Sequence, residues 1–251
     1  MLVVIFAGGK GTRLDSLQNN SPKSLIKINK NKNILEYLLN YYLLQGFNKF
    51  LISTGYNYKD IKYYIKKNSS LKKKNSYYLF KKKFFIKVIN TGKKSNTGGR
   101  LTGKVLSLLK KDKEKDFLMT YCDGITNCKL NNIIKLHRQT NSKITFLSVP
   151  QPPRFGALIF SKKKKNKIKK FSQTGFKNYK LHINAGFFVI SKKILDTIKD
   201  KSLEWESYYL NKFIKKGEVH SLKYNGFWKA MDTRKDVSYL MQNIKKEYEF
   251  Y

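Results

Sequence analysis

Cysteine, proline, histidine, arginine and acid are all scarce in this chain, and each scarcity excludes something. Two cysteines, Cys122 and Cys128, are too few for a disulfide framework. Without a matching pair of histidines they make no structural zinc site either. His137, His182 and His220 are scattered, which reads as structural use. Four prolines in 251 residues leave no proline-rich linker. No apolar run reaches the roughly 18 residues that a membrane span needs. The first apolar run ends in glycines and not at a small-residue cleavage site, so a signal peptide is not expected and the cytoplasm is the expected location. No nucleophile elbow or triad pattern is present.

Only 16 acids oppose 53 bases, and the formal net charge is +37. That excess invites a nucleic-acid reading. The composition argues otherwise, because only five of the bases are arginine and the chain is crowded with Asn, Ile, Tyr and Phe. This is the skew of AT-rich codon usage, in which Lys fills exposed positions that any polar residue would serve. Lys72-Lys73-Lys74, Lys81-Lys82-Lys83 and Lys162 to Lys165 read as solvated loops. Attraction to polyanions in dilute salt is an expected side effect; neither a specific nucleic acid nor a membrane is an expected partner. Where Lys is the default cation, each Arg marks a place that Lys cannot fill. Arg13 and Arg100 lie beside glycines, Arg154 follows Pro152-Pro153, and Arg234 follows Met231-Asp232-Thr233.

Against these absences stands the opening of the chain. The apolar strand Leu2-Val3-Val4-Ile5-Phe6 runs into Ala7-Gly8-Gly9-Lys10-Gly11-Thr12-Arg13. Glycines let backbone N–H groups approach an anion closely. Lys10 adds charge, and Arg13 adds a planar fork suited to phosphate oxygens. At the carboxyl end of a first strand this loop reads as a nucleotide-phosphate cradle. It is neither a Walker loop nor a dinucleotide fingerprint, because both spacings fail. An ordinary strand-to-helix turn would need the glycines but not Arg13.

Hydrophobic residues make up 41% of the chain, enough for a core. Residues 34–45 read as a buried helix capped by Gly46. Strands are expected at 49–54, 84–89, 117–121 and 143–149, with helices at 60–67, from Gly98-Gly99 to about Lys111, and at 131–140. Residues 68–83 carry no clear assignment and read as surface. The second half reads as strands at 156–161, 167–171, 184–190 and 218–224, with helices near 192–199, 206–216 and 235–247. The alternation predicts an α/β, Rossmann-like, doubly wound mixed sheet in a single domain over 1–251. Its nucleotide-binding half is about 1–150 and its acceptor-binding half about 151–251.

Two carboxylates stand out among so few. Asp123 follows a predicted strand in Tyr121-Cys122-Asp123-Gly124, and Asp232 precedes the last helix. Both are candidate ligands for Mg²⁺, which takes one or two carboxylates and completes its shell with water and phosphate oxygens. A turn residue is the plainer reading of Asp123, and a helix N-cap of Asp232. Lys23 follows Pro22, whose fixed backbone could aim it at a phosphate. Ser95-Asn96-Thr97-Gly98-Gly99-Arg100 is a second glycine-rich turn into a helix, where an anion or a base edge could lie.

These segments resemble the sugar-1-phosphate nucleotidylyltransferases, most closely the glucose-1-phosphate cytidylyltransferase branch. The resemblance also rests on Gly55-Tyr56, Asn90-Thr91-Gly92, Gln151-Pro152-Pro153, Ile183-Asn184-Ala185-Gly186, Trp205-Glu206 and Gly226-Phe227-Trp228 to Asp232-Thr233. It implies an enzyme that joins CTP to glucose 1-phosphate and releases pyrophosphate. Carried over, it implies that Phe6, Ala7, Gly8, Gly9, Lys10, Gly11, Thr12, Arg13, Lys23, Ser95, Thr97, Gly98, Arg100 and Cys122 bind the nucleotide. Arg13, Lys23 and Asp123 would be catalytic, and Asp123 and Asp232 would hold Mg²⁺. Asn184, Gly186, Glu206 and Trp228 would line the acceptor pocket. The chain departs from the family at Ser172-Gln173-Thr174, where a Glu-Lys pair is usual, and at Cys122, where Gly is usual. Two alternatives therefore stand: a different phosphorylated acceptor, or an inactive nucleotide or sugar-phosphate binder. The oligomeric state is open, with room for a homo-oligomer.

Overall fold

A computed structural model describes residues 1–9, 22–29, 32–68, 70–73, 76–79, 82–151, 157–160, 168–172 and 181–248. Parallel strands at its centre are β1 (Val3–Ala7), β2 (Lys49–Thr54), β5 (Lys82–Asn90) and β6 (Asp116–Tyr121). The strands β3 (Ser70–Lys73) and β4 (Ser76–Leu79) form an antiparallel hairpin on the β5 edge. On the other side lie β8 (Ile144–Pro150), β11 (His182–Ser191) and β12 (Val219–Lys223). The resulting nine-stranded sheet has the order β12-β8-β11-β6-β1-β2-β5-β4-β3, with β11 antiparallel to both neighbours. This is the expected mixed sheet, and strands from both halves of the chain share it.

The central strand shows why the sheet forms. Strand β1 has parallel neighbours on both sides, pairing Val3 with Phe50 and with Leu118. A strand covered on both faces reads as a continuous apolar run. Its side chains alternate between two cores: Val3, Ile5 and Ala7 join one, while Leu2, Val4 and Phe6 join the other. Helix α1 (Ile34–Leu44) covers the first core. Its start is a capping box, in which Asn33 Oδ1 accepts from the Glu36 N–H and Glu36 Oε2 accepts from the Asn33 N–H, both at 3.0 Å. Its end is a Schellman turn: Gly46, at φ +89°, donates to the Leu43 carbonyl, and Phe47 to that of Tyr42.

Elsewhere the helices differ from expectation. Helix α2 (Tyr58–Asn68) forms as anticipated. The single helix expected from Gly98 is instead a 3-10 turn (Gly98–Leu101) followed by α3 (Lys104–Lys111), with Gly103 between them at φ +58°. Residues 192–197 are 3-10, and 205–210 form a π-helical turn before α5 (Asn211–Lys215). Helix α4 (Leu130–Gln139) and the terminal helix α6 (Arg234–Tyr248) match their patterns. Two separate strand pairs complete the fold: β9 (Ala157–Phe160) with β10 (Ile168–Ser172), and β7 (Gly124–Thr126) with β13 (Trp228–Ala230). The last pair was not anticipated. Among the described residues no helix is long and apolar enough to cross a membrane.

Candidate active site

Strands β1, β2, β5 and β6 all run the same way, so Ala7, Thr54, Asn90 and Tyr121 end on one side of the sheet. The loops that follow them border a cleft of about 410 Å³. This is where open α/β sheets hold ligands. Ten of the expected site residues line it: Phe6, Ala7, Gly8, Gly9, Lys23, Ser95, Thr97, Arg100, Cys122 and Asp123. Gly98 lies buried behind the wall, where an added Cβ would come within 2.5 Å of the Tyr209 ring. Lys10, Gly11, Thr12 and Arg13 lie outside the described residues, as do Pro152, Pro153, Arg154, Gln173 and Thr174.

The short β7–β13 pair assembles the charged end of this cleft. Gly124 pairs with Ala230, and the Met231 N–H donates to the Asp123 carbonyl at 2.8 Å. That register sets Asp123 and Asp232 side by side although 109 residues separate them in sequence. Lys23 bridges the two: its Nζ donates to Asp123 Oδ2 and to Asp232 Oδ1, each at 2.8 Å. A third small core explains the assembly. Ile26, Ile125 and Met231 are buried together with Val237, Leu240 and Ile244 of α6, so each ionic residue stands within three positions of an anchor in one apolar cluster. Asp232 is not the N-cap of α6. Thr233 takes that role, its Oγ1 accepting from the Asp236 N–H, while Asp236 Oδ2 accepts from the Asp232 and Thr233 N–H groups. The Asp232 carboxylate is thereby free to face Lys23. Burial acts to lower the Lys23 pKa, but Asp123 and Asp232 together outweigh it and leave it raised.

The opposite wall is held by Arg100, which is 6% exposed. Its guanidinium donates to the carbonyls of Thr54 (2.9 Å), Gly92 (3.0 Å) and Gly8 (3.1 Å), and to Thr91 Oγ1 (2.8 Å). One fork thus ties together the loops after β1, β2 and β5, which Lys, a compact point charge, could not do. The same fork explains two glycines: a Cβ on Gly8 would lie 2.3 Å from Arg100 Cζ, and one on Gly55 2.6 Å from a guanidinium nitrogen. Burial draws the Arg100 pKa down, although a guanidinium stays charged.

The four expected acceptor-side residues border the region beyond Asp123 and Tyr121 but do not line the cleft itself. Asn184 Oδ1 accepts from the Gly186 N–H at 2.8 Å, and Gly186 sits at φ +81° in the irregular part of β11. A Cβ there would come within 2.9 Å of the Tyr121 ring. The Trp228 indole donates to the Ala185 carbonyl at 2.8 Å, pinning β13 to β11. Glu206, in the first turn of the π-helical segment, accepts from the Tyr121 hydroxyl and lies 3.5 Å from Thr97 Oγ1. Burial first, and then the Glu206 carboxylate, push the Tyr121 hydroxyl well above its usual pKa, so it stays a donor.

Tyr121 was overlooked in the sequence reading, as were Tyr56, Lys93 and Asn96, which also line the cleft. Their only signal is position: each follows or flanks a strand end or glycine turn already singled out. Tyr121 packs edge-to-face on Phe6, with centroids 5.7 Å apart at 74°. Cys122 is buried, and burial pushes its thiol up to about 12. It is therefore not a thiolate at neutral pH and cannot serve as a nucleophile.

The arrangement offers a glycine-walled anion cleft with two carboxylates and a lysine at its mouth. Among the described residues no cluster of three or more His, Cys, Asp or Glu side chains gathers around a common point. The carboxylate pair nonetheless fits Mg²⁺: both side chains are partly exposed, at 37% and 34%, and both already face one cation.

A family described as nucleotidyl transferase matches residues 2–240. Glucose-1-phosphate cytidylyltransferase of Salmonella typhimurium is 30% identical over 250 residues, covering 96% of this chain and 94% of the relative. A probable glucose-1-phosphate cytidylyltransferase of Bacillus subtilis is 32% identical over 250 residues, covering 94% of this chain and 93% of the relative. Among solved structures, HddC from Yersinia pseudotuberculosis superposes with a TM-score of 0.71 at 22% identity, covering 97% of this chain and 99% of that one.

Proposed function

Because the chain belongs to the nucleotidyl transferase family, we propose that it joins CTP to a sugar 1-phosphate, with glucose 1-phosphate the first choice of acceptor. The products are a CDP-sugar and pyrophosphate. The similarity to cytidylyltransferases over nearly the full length supports the choice of CTP and glucose 1-phosphate. The observation that carries the proposal is the meeting of Asp123, Asp232 and Lys23 at the mouth of the glycine-walled cleft.

The chemistry requires no protein nucleophile. A phosphate monoester has a second pKa of about 6, so the acceptor is mostly a dianion at neutral pH. Its oxygen attacks the α-phosphorus of CTP, the new P–O bond forms, and the bond to the β-phosphate oxygen breaks as pyrophosphate leaves. The work left to the protein is to bring two polyanions together and to disperse charge in the transition state. The Gly8–Gly9 backbone offers N–H groups at the triphosphate position. Lys23 offers an ammonium, and the buried Arg100 adds positive potential behind the wall. Asp123 and Asp232 would hold Mg²⁺, which when bound supplies neutralising charge to the phosphate oxygens.

The decisive experiment is a pyrophosphate-release matrix, with four nucleoside triphosphates set against a panel of sugar and non-sugar phosphates in the presence of Mg²⁺. The expected outcome is release that depends on both CTP and glucose 1-phosphate. Release with CTP and another phosphorylated acceptor would transfer the assignment to that acceptor. CTP binding with no release for any pair would overturn catalysis in favour of a binding protein, the reading that Ser172-Gln173-Thr174 invites.

A further inference from the structure

We propose that Lys23 is a specificity-determining residue for the form in which the divalent cation is admitted. It keeps free cations off the Asp123–Asp232 pair and gives way to a cation that arrives with a triphosphate. The inference rests on the reading of that pair as the cation site, and it goes further by assigning an order to binding.

The geometry supplies the first step. One ammonium takes up one oxygen of each carboxylate, at 2.8 Å in both cases. Lys23 is only 16% exposed, against 37% and 34% for its partners, so the ammonium is the most covered of the three and the carboxylates are the more open to solvent. A pair of carboxylates with one ammonium between them carries a net charge of −1. A divalent cation entering that space is drawn by −1 in place of −2 and meets the ammonium, a like charge, at contact distance, and that repulsion is large wherever water is partly excluded. Nothing else compensates: among the described residues no third His, Cys, Asp or Glu joins the pair. A hydrated dication with two anionic ligands is weakly held to begin with.

The second step is where the ammonium goes. Pro22 and the 3-10 turn over Lys23–Leu25 hold the Lys23 backbone, with the Leu25 N–H donating to the Pro22 carbonyl at 2.8 Å and the Ile26 N–H to the Lys23 carbonyl at 3.2 Å. Only the flexible side chain has to swing. Lys23 lines the same cleft as Gly8 and Gly9, so a triphosphate bound along those glycines places anionic oxygens within its sweep. The ammonium then exchanges carboxylate oxygens for phosphate oxygens, and the pair is left with its full −2 charge for the cation. Without the triphosphate, the two carboxylates are the ammonium's hydrogen-bond partners among the described residues.

Direct Mn²⁺ binding to the full chain, read from the electron paramagnetic resonance of free Mn²⁺ with no nucleotide present, tests this. Lys23→Met is expected to bind Mn²⁺ at least ~10-fold more tightly than the parent protein, because the competing charge is gone. The gain is expected to vanish in the Lys23→Met/Asp232→Asn double variant. Lys23→Gln, a neutral side chain that can still donate hydrogen bonds, serves as the second test of the same charge should Lys23→Met fail to fold, as judged by circular dichroism. Equal Mn²⁺ affinity of the parent and both neutral variants overturns the proposal. Calorimetric titration of CTP at fixed Mg²⁺ tells the two failures apart. If Asp232→Asn weakens that binding, the cation site stands and only the gating by Lys23 is wrong. If neither Asp123→Asn nor Asp232→Asn changes it, the cation-site reading falls and takes this proposal with it.

Discussion

Arg100 and Lys23 face the same cleft from opposite walls, and they are held in opposite ways. Arg100 is buried and bonds to neutral groups, namely three carbonyls and a hydroxyl. Lys23 is less deeply set, and among the described residues its side chain bonds to carboxylates alone. The carbonyls cannot be removed or neutralised, since they belong to the loops that the guanidinium fastens. The carboxylates can be, by a cation or by phosphate drawing the ammonium off. One wall is therefore fixed and the other exchangeable. The fixed wall shapes the cleft, and the exchangeable one answers to what enters it.

The comparison breaks first at Arg100. Arg100→Met removes four hydrogen bonds: the Gly8 carbonyl keeps no other donor among the described residues, whereas the Thr54 carbonyl keeps the Thr91 N–H and hydroxyl and the Gly92 carbonyl keeps the Ser95 N–H. We expect a loss of about 4 kcal/mol in urea unfolding, from four lost bonds at roughly 1 kcal/mol each. Arg100→Lys should recover only part of it, because a single ammonium cannot span three loops. A loss under about 1 kcal/mol would show that these bonds do not hold the wall.

At the exchangeable wall the effect should fall on turnover and not on stability. Asp123→Asn keeps the shape of the side chain and removes its charge. Pyrophosphate release is expected to drop at least ~10²-fold, the scale of losing one preorganised electrostatic group, while the circular dichroism spectrum and unfolding midpoint change little. Near-normal turnover at ordinary Mg²⁺ would remove Asp123 from the site.

Neighbouring glycines sharpen the contrast inside one loop. A Cβ on Gly8 meets the pinned guanidinium at 2.3 Å, whereas a Cβ on Gly9 meets nothing within 4 Å. Gly8→Ala should cost about 2 kcal/mol, because Arg100 can only make room by giving up its bonds. Gly9→Ala should stay within about 0.5 kcal/mol of the parent. Equal losses at both positions would mean that loop conformation, and not the Arg100 contact, sets the requirement for glycine.

How much of this was legible depends on length and partner. Strand β1 and helix α1 announce themselves, one as an unbroken apolar run and the other by its apolar faces and Gly46 at its end, whereas the Asn33–Glu36 capping box at its start comes from the structure. The mixed sheet follows from the alternation of such elements. The two strands that bring Asp123 to Asp232 are three residues each, too short for any periodicity to register. Their meeting was expected only through family resemblance. Gly103 interrupts a helix whose apolar pattern runs straight across it, because a pattern of side chains does not report a backbone dihedral. The rarity of Arg singled out Arg100 as irreplaceable, but nothing local distinguishes a guanidinium aimed at a ligand from one aimed at its own backbone. Tyr121 and Glu206 are 85 residues apart, so their bond exists only in the fold.

The smallest effect separates the two walls by pH. The Lys23 pKa is raised: burial alone would lower it, and Asp123 and Asp232 reverse that. A raised pKa means that the folded state holds the proton more tightly than the unfolded chain. The stabilisation is thus fully present below the unfolded value of 10.5 and fades as pH climbs through the folded one. Its size should be about 1 kcal/mol or less, since both carboxylates are more than a third solvated and screened. The stability difference between the parent and Lys23→Met should therefore be level from about pH 7 to 10 and shrink above that. Arg100 keeps its proton throughout this window, so the difference between the parent and Arg100→Met should stay flat while the Lys23 difference falls. Parallel curves for the two variants would mean that Lys23 is held by packing of its stem and not by charge, and the exchangeable wall would then be as fixed as the other.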